Sequence, residues 1–138
     1  MIIPFHNRVD TTVEAVRSVL AQTEKDWELI LVNDGSTADI SEIEKIKETD
    51  PRIKLIELEM NQGASEARNH GIKISAGKFV AFLDSDDLWL PNKLQVQIGL
   101  MQKNNWKASH TSYLVQTATT SVTKVDSGHG LRMKLFVN

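Results

Sequence analysis

Short β-rich segments alternate with amphipathic helical segments four times in about the first hundred residues, and this alternation is the feature that most constrains the fold. Apolar, β-branched runs predict strands at residues 2–4, 27–32, 53–58 and 78–83. Apolar residues at helical spacing follow each run, beginning near residues 10, 39, 64 and 91. Parallel strands need a crossover between them, which is usually a helix. The alternation therefore predicts a Rossmann-like α/β fold, with a mostly parallel sheet flanked by helices on both faces.

The helix ends and the last part of the chain carry further signals. We expect Asp10 or Thr11 to cap the first helix. Asp50-Pro51 should end the second helix and Ala76-Gly77 the third. Between residues 109 and 126, apolar residues among Thr and Ser predict two strands and a turn, and a short amphipathic segment is expected after Gly130.

Composition limits the classes of function. The 138 residues carry a formal net charge of −2, which supplies no strong field for nucleic acid. The absence of cysteine excludes disulfide scaffolds, thiolate catalysis and cysteine-ligated metals. No apolar run approaches the roughly 20 residues of a membrane span, and the first residues lack the features of a signal peptide. We therefore expect a cytoplasmic protein with no nucleic-acid partner.

Polar and acidic residues follow every predicted strand. Ligands of open α/β sheets bind outside the carboxyl ends of the strands. The loops at those ends contain, in chain order, His6-Asn7, Asn33-Asp34-Gly35-Ser36, Asn61-Gln62-Gly63 and Asp84-Ser85-Asp86-Asp87. Because parallel strands present their carboxyl ends at one edge, the sequence predicts a polar ligand site there.

Asp84 and Asp86 have two interpretations on the residues alone. Carboxylates are hard oxygen ligands suited to Mg²⁺ or Mn²⁺, and such ions usually take one or two protein carboxylates together with substrate phosphates. Aspartates before a helix are just as often turn formers and caps. Both interpretations stay open at this point.

Asp34 and Arg68 are similarly ambiguous. Asp34 fits either an Asx-turn with Gly35 or a hydrogen bond to a ligand. Arg68 fits a surface charge better than a contact to a base or phosphate. The four histidines lack metal-binding spacing, and neither the dinucleotide-binding nor the P-loop glycine motif is present. A zinc site and those two nucleotide folds are therefore disfavoured.

Several segments, taken in order, resemble glycosyltransferase family 2, the inverting nucleotide-sugar transferases with the GT-A fold. They lie at residues 3–7, 22–23, 27–37, 61–69 and 82–87. Each segment is weak alone, but their order and spacing are specific. The resemblance, closest to bacterial surface-polysaccharide members, implies a nucleotide-sugar-binding region at residues 1–105. The start of an acceptor-side region would follow at 106–138, within one structural domain.

The resemblance also implies a donor-binding set, which comprises Pro4, His6, Asp34, Asn61, Arg68, Asp84 and Ser85. In this set Pro4 and His6 would border the nucleobase, and His6 stands where the family often has tyrosine. Asp34 would accept a hydrogen bond from the base, which Asn61 and Arg68 would help to hold, and Asp84 would contact the ribose.

Asp86 would hold the cofactor, a divalent metal, Mn²⁺ or Mg²⁺. The implied reaction moves a sugar from a nucleoside diphosphate sugar, a UDP-sugar by preference, to an acceptor hydroxyl in glycan or polysaccharide biosynthesis. Asp86 and the metal would neutralise the leaving diphosphate. The attack needs a general base, which we expect beyond Asn138. Asp126 is not assigned that role.

The two ends of the chain predict a truncated domain, because a full GT-A catalytic domain is longer. We expect exposed apolar surface near Leu135-Phe136-Val137, covered by self-association. The stretch at residues 131–136 has two interpretations: it packs against the sheet, or it makes a peripheral membrane contact through Arg132 and Lys134. The second would place the protein at the inner face of the membrane.

The sequence leaves two other functions as alternatives to sugar transfer. The first is a non-catalytic nucleotide-sugar-binding module, or an inactive fragment that lacks the general base. The second is a phosphotransferase that uses the acidic loop, but those enzymes carry a nucleophilic aspartate after the first strand, where this chain has Pro4-Phe5-His6-Asn7.

Overall fold

A computed structural model of the protein describes residues 1–111 and the backbone of three strands beyond them. Strands β1 (Ile2–Phe5), β2 (Leu29–Asn33), β3 (Ile53–Glu57) and β4 (Phe79–Ala81) alternate with helices α1 (Val9–Leu20), α2 (Ser41–Thr49), α3 (Ala64–Ile74) and α4 (Lys93–Asn104). The chain continues through β5 (Ala108–Ser109), β6 (Tyr113–Gln116), β7 (Ser121–Lys124) and β8 (Leu135–Val137). The predicted alternation is confirmed.

The first three strands form a parallel sheet in which β2 pairs with β1 on one side and with β3 on the other. A parallel bridge between Ile2 and Phe82 places the chain that leaves β4 on the free side of β1. The order is therefore β3-β2-β1-β4, so the chain moves outward from β1 in one direction and then returns to its other side. The gap between β1 and β4 is the topological switch point, where ligands bind in sheets of this type.

Pro4 limits the pairing of β1 with β4. Alternate carbonyls of β1, those of Met1 and Phe5, accept hydrogen bonds from β2 and the loop after it. The carbonyl of Ile2 instead accepts from the N–H of Leu83, so the backbone of Pro4 also faces β4. Proline has no N–H to continue that ladder. The hydrogen-bond ladder between the two strands therefore cannot continue through the nitrogen of Pro4.

Alternating side chains of the sheet build a core on each face, as the pleat requires. On one face Ile3, Leu29 and Leu31 pack in a cluster that includes residues from α1, α2 and α4. On the other face Ile2 and Ile30 pack with residues that include Ala67 of α3. Helices therefore cover both faces, as predicted.

The last described strands extend this architecture. Strand β8 lies between β4 and β5 and pairs antiparallel with both. Strands β6 and β7 form an antiparallel hairpin, which confirms the two strands predicted between residues 109 and 126. Asp126 and the amphipathic segment expected from residue 131 to 134 lie outside the described residues, as do the side chains of Leu135–Val137.

Two predicted helix ends are wrong. Helix α1 begins at Val9, so Asp10 and Thr11 lie in its first turn, and the residue at its start is Arg8. Helix α3 ends at Ile74 with Ser75 in extended conformation, two residues before Gly77. Residue type alone therefore does not locate these two helix ends.

Within the described part of the chain, no helix has both the length and the apolar composition to cross a membrane.

Candidate functional site

The loops that leave the carboxyl ends of β1, β2, β3 and the β4 segment meet at one edge of the sheet. An open cleft of about 410 Å³ lies there, between the start of α1 and the acidic loop that follows β4. Its lining consists of Asn7, Arg8, Val9, Asp10, Thr11 and Asp86. The cleft occupies the switch point, the position that the sheet order predicts for a ligand.

His6 and Asn7 join the loop after β1 to the loop after β2. The Nδ1 of His6 lies 2.8 Å from the backbone oxygen of Asp34. Because a carbonyl oxygen only accepts, Nδ1 carries the proton and Nε2 accepts from the Asn7 amide at 3.1 Å. The Oδ1 of Asn7 accepts from the N–H groups of Thr37 and Ala38 at 2.8 and 3.0 Å. These hydrogen bonds between the two loops fix the imidazole ring at the sheet edge.

Asp34 joins the loop after β2 to the loop after β3. Its carboxylate is 3% exposed and accepts from the N–H of Gln62 at 2.7 Å and of Gly63 at 2.9 Å. Such charge-assisted bonds are about twice as strong as neutral ones. A carboxylate offers about four acceptor positions, so Asp34 retains capacity for a ligand donor. It thus holds the β3 loop and remains competent to bind.

Gly35 brings these two loops into close contact. Its φ is +65°, and a Cβ placed there would lie 2.5 Å from both the backbone N of Asn61 and the backbone C of Met60. Only a residue without a side chain fits both the conformation and the space. The exposed Asn61 also turns its own loop, since its Oδ1 accepts from the Gly63 N–H at 3.0 Å.

Two arginines pair with the acidic loop. Arg68 of α3 donates to Asp84 at 2.5 Å, and Arg8 at the start of α1 forms an ion pair with Asp86. Ser85 between the two aspartates is buried. Burial, with the neighbouring carboxylates of Asp84 and Asp86, raises the pKa of Asp87. The loop thus places three carboxylates, those of Asp84, Asp86 and Asp87, within four residues.

A buried glutamine attaches the segment after the acidic loop to the end of α1. The Nε2 of Gln22 donates to the carbonyls of Ser18 and Leu90, and its Oε1 accepts from the N–H of Leu94 at 3.1 Å. Thr23 adds a backbone bond to Pro91. The Gln22-Thr23 pair of the sequence therefore has a structural function that supports the acidic loop.

The structure brings most of the predicted site residues to this edge. His6 and Asp34 are directly bonded, as are Arg68 and Asp84, while Asp86 lines the cleft. Pro4 lies within β1 and is buried. The side chain of Asn61 bonds within its own loop, to the N–H of Gly63, and Asp34 holds that loop at the site.

The acidic loop fits a divalent cation. Among the described residues, no three His, Asp or Glu side chains come together as a metal-binding group. However, Mg²⁺ and similar ions usually take one or two carboxylates and complete their shell with water and substrate phosphates. Asp86 is half exposed at the cleft, and Asp84 is half exposed two residues before it. These hard oxygen donors match the chemistry of Mn²⁺ or Mg²⁺.

Residues 1–131 match the family model described as glycosyl transferase family 2. The chain belongs to this family. The match covers all the loops of the site and agrees with the resemblance drawn from the sequence. An uncharacterized glycosyltransferase of Rickettsia bellii is 50% identical over 113 residues, which are 82% of this chain and 16% of that protein.

A second relative carries a full functional name, "UDP-Glc:alpha-D-GlcNAc-diphosphoundecaprenol beta-1,3-glucosyltransferase WfgD" of Escherichia coli. It is 42% identical over 113 residues, covering 82% of this family 2 chain and 44% of its own length. The chain thus spans less than half the length of these two curated relatives.

Solved structures of transferases share the fold. Residues 1–349 of TarS from S. aureus superimpose with a TM-score of 0.82 at 20% identity, over 99% of this chain and 45% of that one. The mannosyltransferase PcManGT of Pyrobaculum calidifontis, solved with GDP-Man and Mn²⁺, gives a TM-score of 0.74 at 22% identity. That match covers 80% of this chain and 34% of that one. The GT-A fold expected from the resemblance is therefore confirmed.

Two residues of the site, Asn7 and Arg8, were not among those predicted from the sequence. Asn7 has a φ of +55° and organises the loop after β2, and Arg8 pairs with Asp86 across 78 residues of sequence. Both directly follow the first strand. An asparagine in that place was a signal for a left-handed turn conformation, whereas the partner of Arg8 depends on the return of β4 to β1.

Proposed function

We propose that this chain is the donor-binding part of an inverting glycosyltransferase, which transfers a sugar from a UDP-sugar to an acceptor hydroxyl in polysaccharide biosynthesis. One observation carries the proposal. In a member of family 2, the segment from His6 to Arg8 at the switch point of the sheet contacts both the Asp34 loop and Asp86 of the acidic loop. The name of WfgD, with UDP-Glc as donor, supports the uridine nucleotide.

Each side chain then has a role that its surroundings support. The bonded pair of His6 and Asp34 borders the nucleobase beside Pro4, and Asp34 accepts a hydrogen bond from the base with its remaining lone pairs. Arg68 and Asn61 help to hold the base from the α3 side, and Asp84 contacts the ribose. Ser85, buried between the two acids, completes the donor-binding set.

Asp86 is the residue that holds the divalent cation, Mn²⁺ or Mg²⁺. When bound, the cation would neutralise charge that grows on the departing diphosphate. The protein's own contribution is to keep the acidic loop in place before the ligand arrives, which preorganises the site. The residues that hold it are Gln22 behind the loop and Arg68, which pairs with Asp84.

We also propose that residues 1–105 bind the donor and that residues 106–138 begin the acceptor side. Because the acceptor in the name of WfgD is attached to diphosphoundecaprenol, we propose that the reaction takes place at the inner face of a membrane. A purely non-catalytic binding module is not favoured, since the relatives named above are glycosyltransferases.

Calorimetry with UDP tests the proposal. We expect UDP to bind in the presence of Mn²⁺ and to lose at least about tenfold in affinity when a chelator is added or when Asp86 is changed to Ala, since each removes the cation from the diphosphate. Asp87→Asn, one residue away, is the matched control and should retain most of the affinity. Tight UDP binding that neither chelator nor Asp86→Ala weakens would contradict the proposal.

A further inference from the structure

Arg8 is an unusual residue in the cleft. Among the described residues that line it, Arg8 alone carries a positive charge. Its side chain is 59% exposed, and the partner carboxylate of Asp86 is 51% exposed. An ion pair so accessible to water contributes little to stability. The pair therefore calls for a function other than holding the fold.

The local structure also disfavours an arginine at this position. Arg8 stands at the N-terminus of α1, where the helix dipole is positive and a cation is unfavourable. The helix start does not depend on the side chain, because the backbone carbonyl of Arg8 accepts from the N–H and the hydroxyl of Thr12. A residue that breaks a local rule in this way is expected at functional sites.

The charges around Arg8 indicate what the cleft attracts. Asp84, Asp86 and Asp87 place three carboxylates on one short loop, and the guanidiniums of Arg8 and Arg68 pair with two of them. A divalent cation at Asp86 would compete with Arg8 for the same oxygens. Once displaced, the guanidinium needs a new anion, and its planar fork matches phosphate oxygens.

We propose that Arg8 is a diphosphate-binding residue that stays paired with Asp86 until the cation binds. This inference rests on the proposed function and adds a consequence to it. The cation alone must displace Arg8 from Asp86, whereas the cation together with a diphosphate offers Arg8 a second partner. Binding of the two is therefore cooperative, and Arg8 supplies part of the coupling.

Calorimetry on Arg8→Gln measures separately how Arg8 affects the binding of the cation and the binding of the diphosphate. We expect Mn²⁺ alone to bind up to about fivefold tighter to the variant, because an exposed ion pair no longer competes. UDP in the presence of Mn²⁺ should bind about tenfold more weakly, because a charged contact to phosphate is lost. UMP should be affected much less than UDP, since it lacks the second phosphate.

Arg17→Gln is the matched control. Arg17 lies on the same helix and pairs with Glu42, with side-chain exposures of 66% and 51%, but it does not line the cleft. It should leave the affinities for Mn²⁺, UMP and UDP unchanged. Arg8→Lys keeps the charge without the fork and should restore part of the affinity for UDP. Thermal unfolding of each variant reports whether the fold is retained, and Arg8→Lys provides the comparison if Arg8→Gln is unstable.

The outcomes separate this inference from the proposed function. If the wild type binds UDP with Mn²⁺ and the folded Arg8 variants bind both ligands as the wild type does, the role of Arg8 is overturned and the proposed function stands. If the wild type fails to bind UDP with Mn²⁺, the proposed function is overturned and this inference with it.

Discussion

Two adjacent residues at the end of β2 show how closely single positions are specified. Asp34 is buried and its side chain is bonded to the loop after β3, so the residue type is fixed by the hydrogen bonds it makes. Gly35 is fixed by the opposite requirement, since its conformation and the backbone of Met60 and Asn61 leave no room for a side chain. Together they determine the distance between two loops of the site.

Gly35→Ala should lower the free energy of unfolding by about 2 kcal/mol or more, because a left-handed alanine is strained and its Cβ would collide with backbone. Gly63→Ala is the control, since Gly63 has a φ of +89° but no atom within 4 Å of the added Cβ. Its φ of +89° and ψ of 154° lie in a region that is essentially restricted to glycine, so it should lose only this conformational part, about 1–3 kcal/mol. Denaturant unfolding measures both, and a loss for Gly35→Ala smaller than that for Gly63→Ala would show that the contact with residues 60 and 61 contributes nothing.

Lys93 is a second residue whose surroundings have a measurable effect. Its ammonium lies 3.6 Å from the centre of the Trp89 ring. Burial lowers the pKa of Lys93 from 10.5 to about 7. In the unfolded chain the ammonium keeps its proton up to the ordinary pKa, so between the two values the unfolded state binds more protons. Stability from this group therefore rises as the pH increases from about 7 towards 10.

Lys93→Met should accordingly stabilise the protein most at or below pH 7, where the wild type retains a poorly solvated charge. The difference in the free energy of unfolding should shrink as the pH rises above 7, because the wild type then loses the proton in its folded state. Urea titrations at several pH values measure it. A difference that stays constant from pH 6 to pH 9 would refute the assignment of the low pKa to Lys93.

At the scale of elements, the contact between the end of α1 and the start of α4 supports the acidic loop from behind. Gln22 is fully buried and satisfies two carbonyls and one N–H, and Ser18, one turn earlier, accepts from the N–H of Trp89 at 3.2 Å. This contact joins the end of α1 to the segment that leads into α4.

Gln22→Ala should cost about 2–4 kcal/mol in the free energy of unfolding, because it leaves the buried Leu94 N–H without its acceptor and creates a cavity. Thr23→Val is the comparison. It removes one exposed hydrogen bond to Gln95 and should cost less than about 1 kcal/mol. Similar losses in the two variants would mean that burial of the amide does not determine its contribution.

At the scale of the whole molecule, the sheet is most protected at its centre. Strand β2 has a neighbour on each side and is buried throughout. In the described sheet β3 pairs on one side only, and Lys54 and Glu57 are exposed. The two strands therefore offer an internal comparison of local stability.

Amides of β2 should exchange with solvent at least about tenfold more slowly than those of β3, since edge elements open at lower free energy than central ones. Hydrogen exchange followed by NMR tests this in a single sample. Equal protection of both strands would indicate that β3 opens only when the whole sheet unfolds.

The layout of the fold and the place of the site were predictable, and the contacts of individual residues were not. Apolar runs and helical spacing are local in sequence, so the positions of β1 to β4 and the polar edge of the sheet followed from them. The pairing of Arg8 with Asp86 and the bonds from Asp34 to Gln62 and Gly63 depend on which strands become neighbours. Local signals carry no information on that. The roles of the predicted donor and metal residues in binding remain predictions.

The return of β4 to β1 has a consequence for how the protein folds. The bond from the Leu83 N–H to the Ile2 carbonyl closes a loop of about eighty residues, one of the longest closures in the described chain. Such closures lose the most chain entropy and form late. Strands β1 to β3 can associate before that step, but the cleft cannot, because Asp86 is brought to it only afterwards. The onset of the proposed UDP binding during refolding would therefore report when this late step is complete.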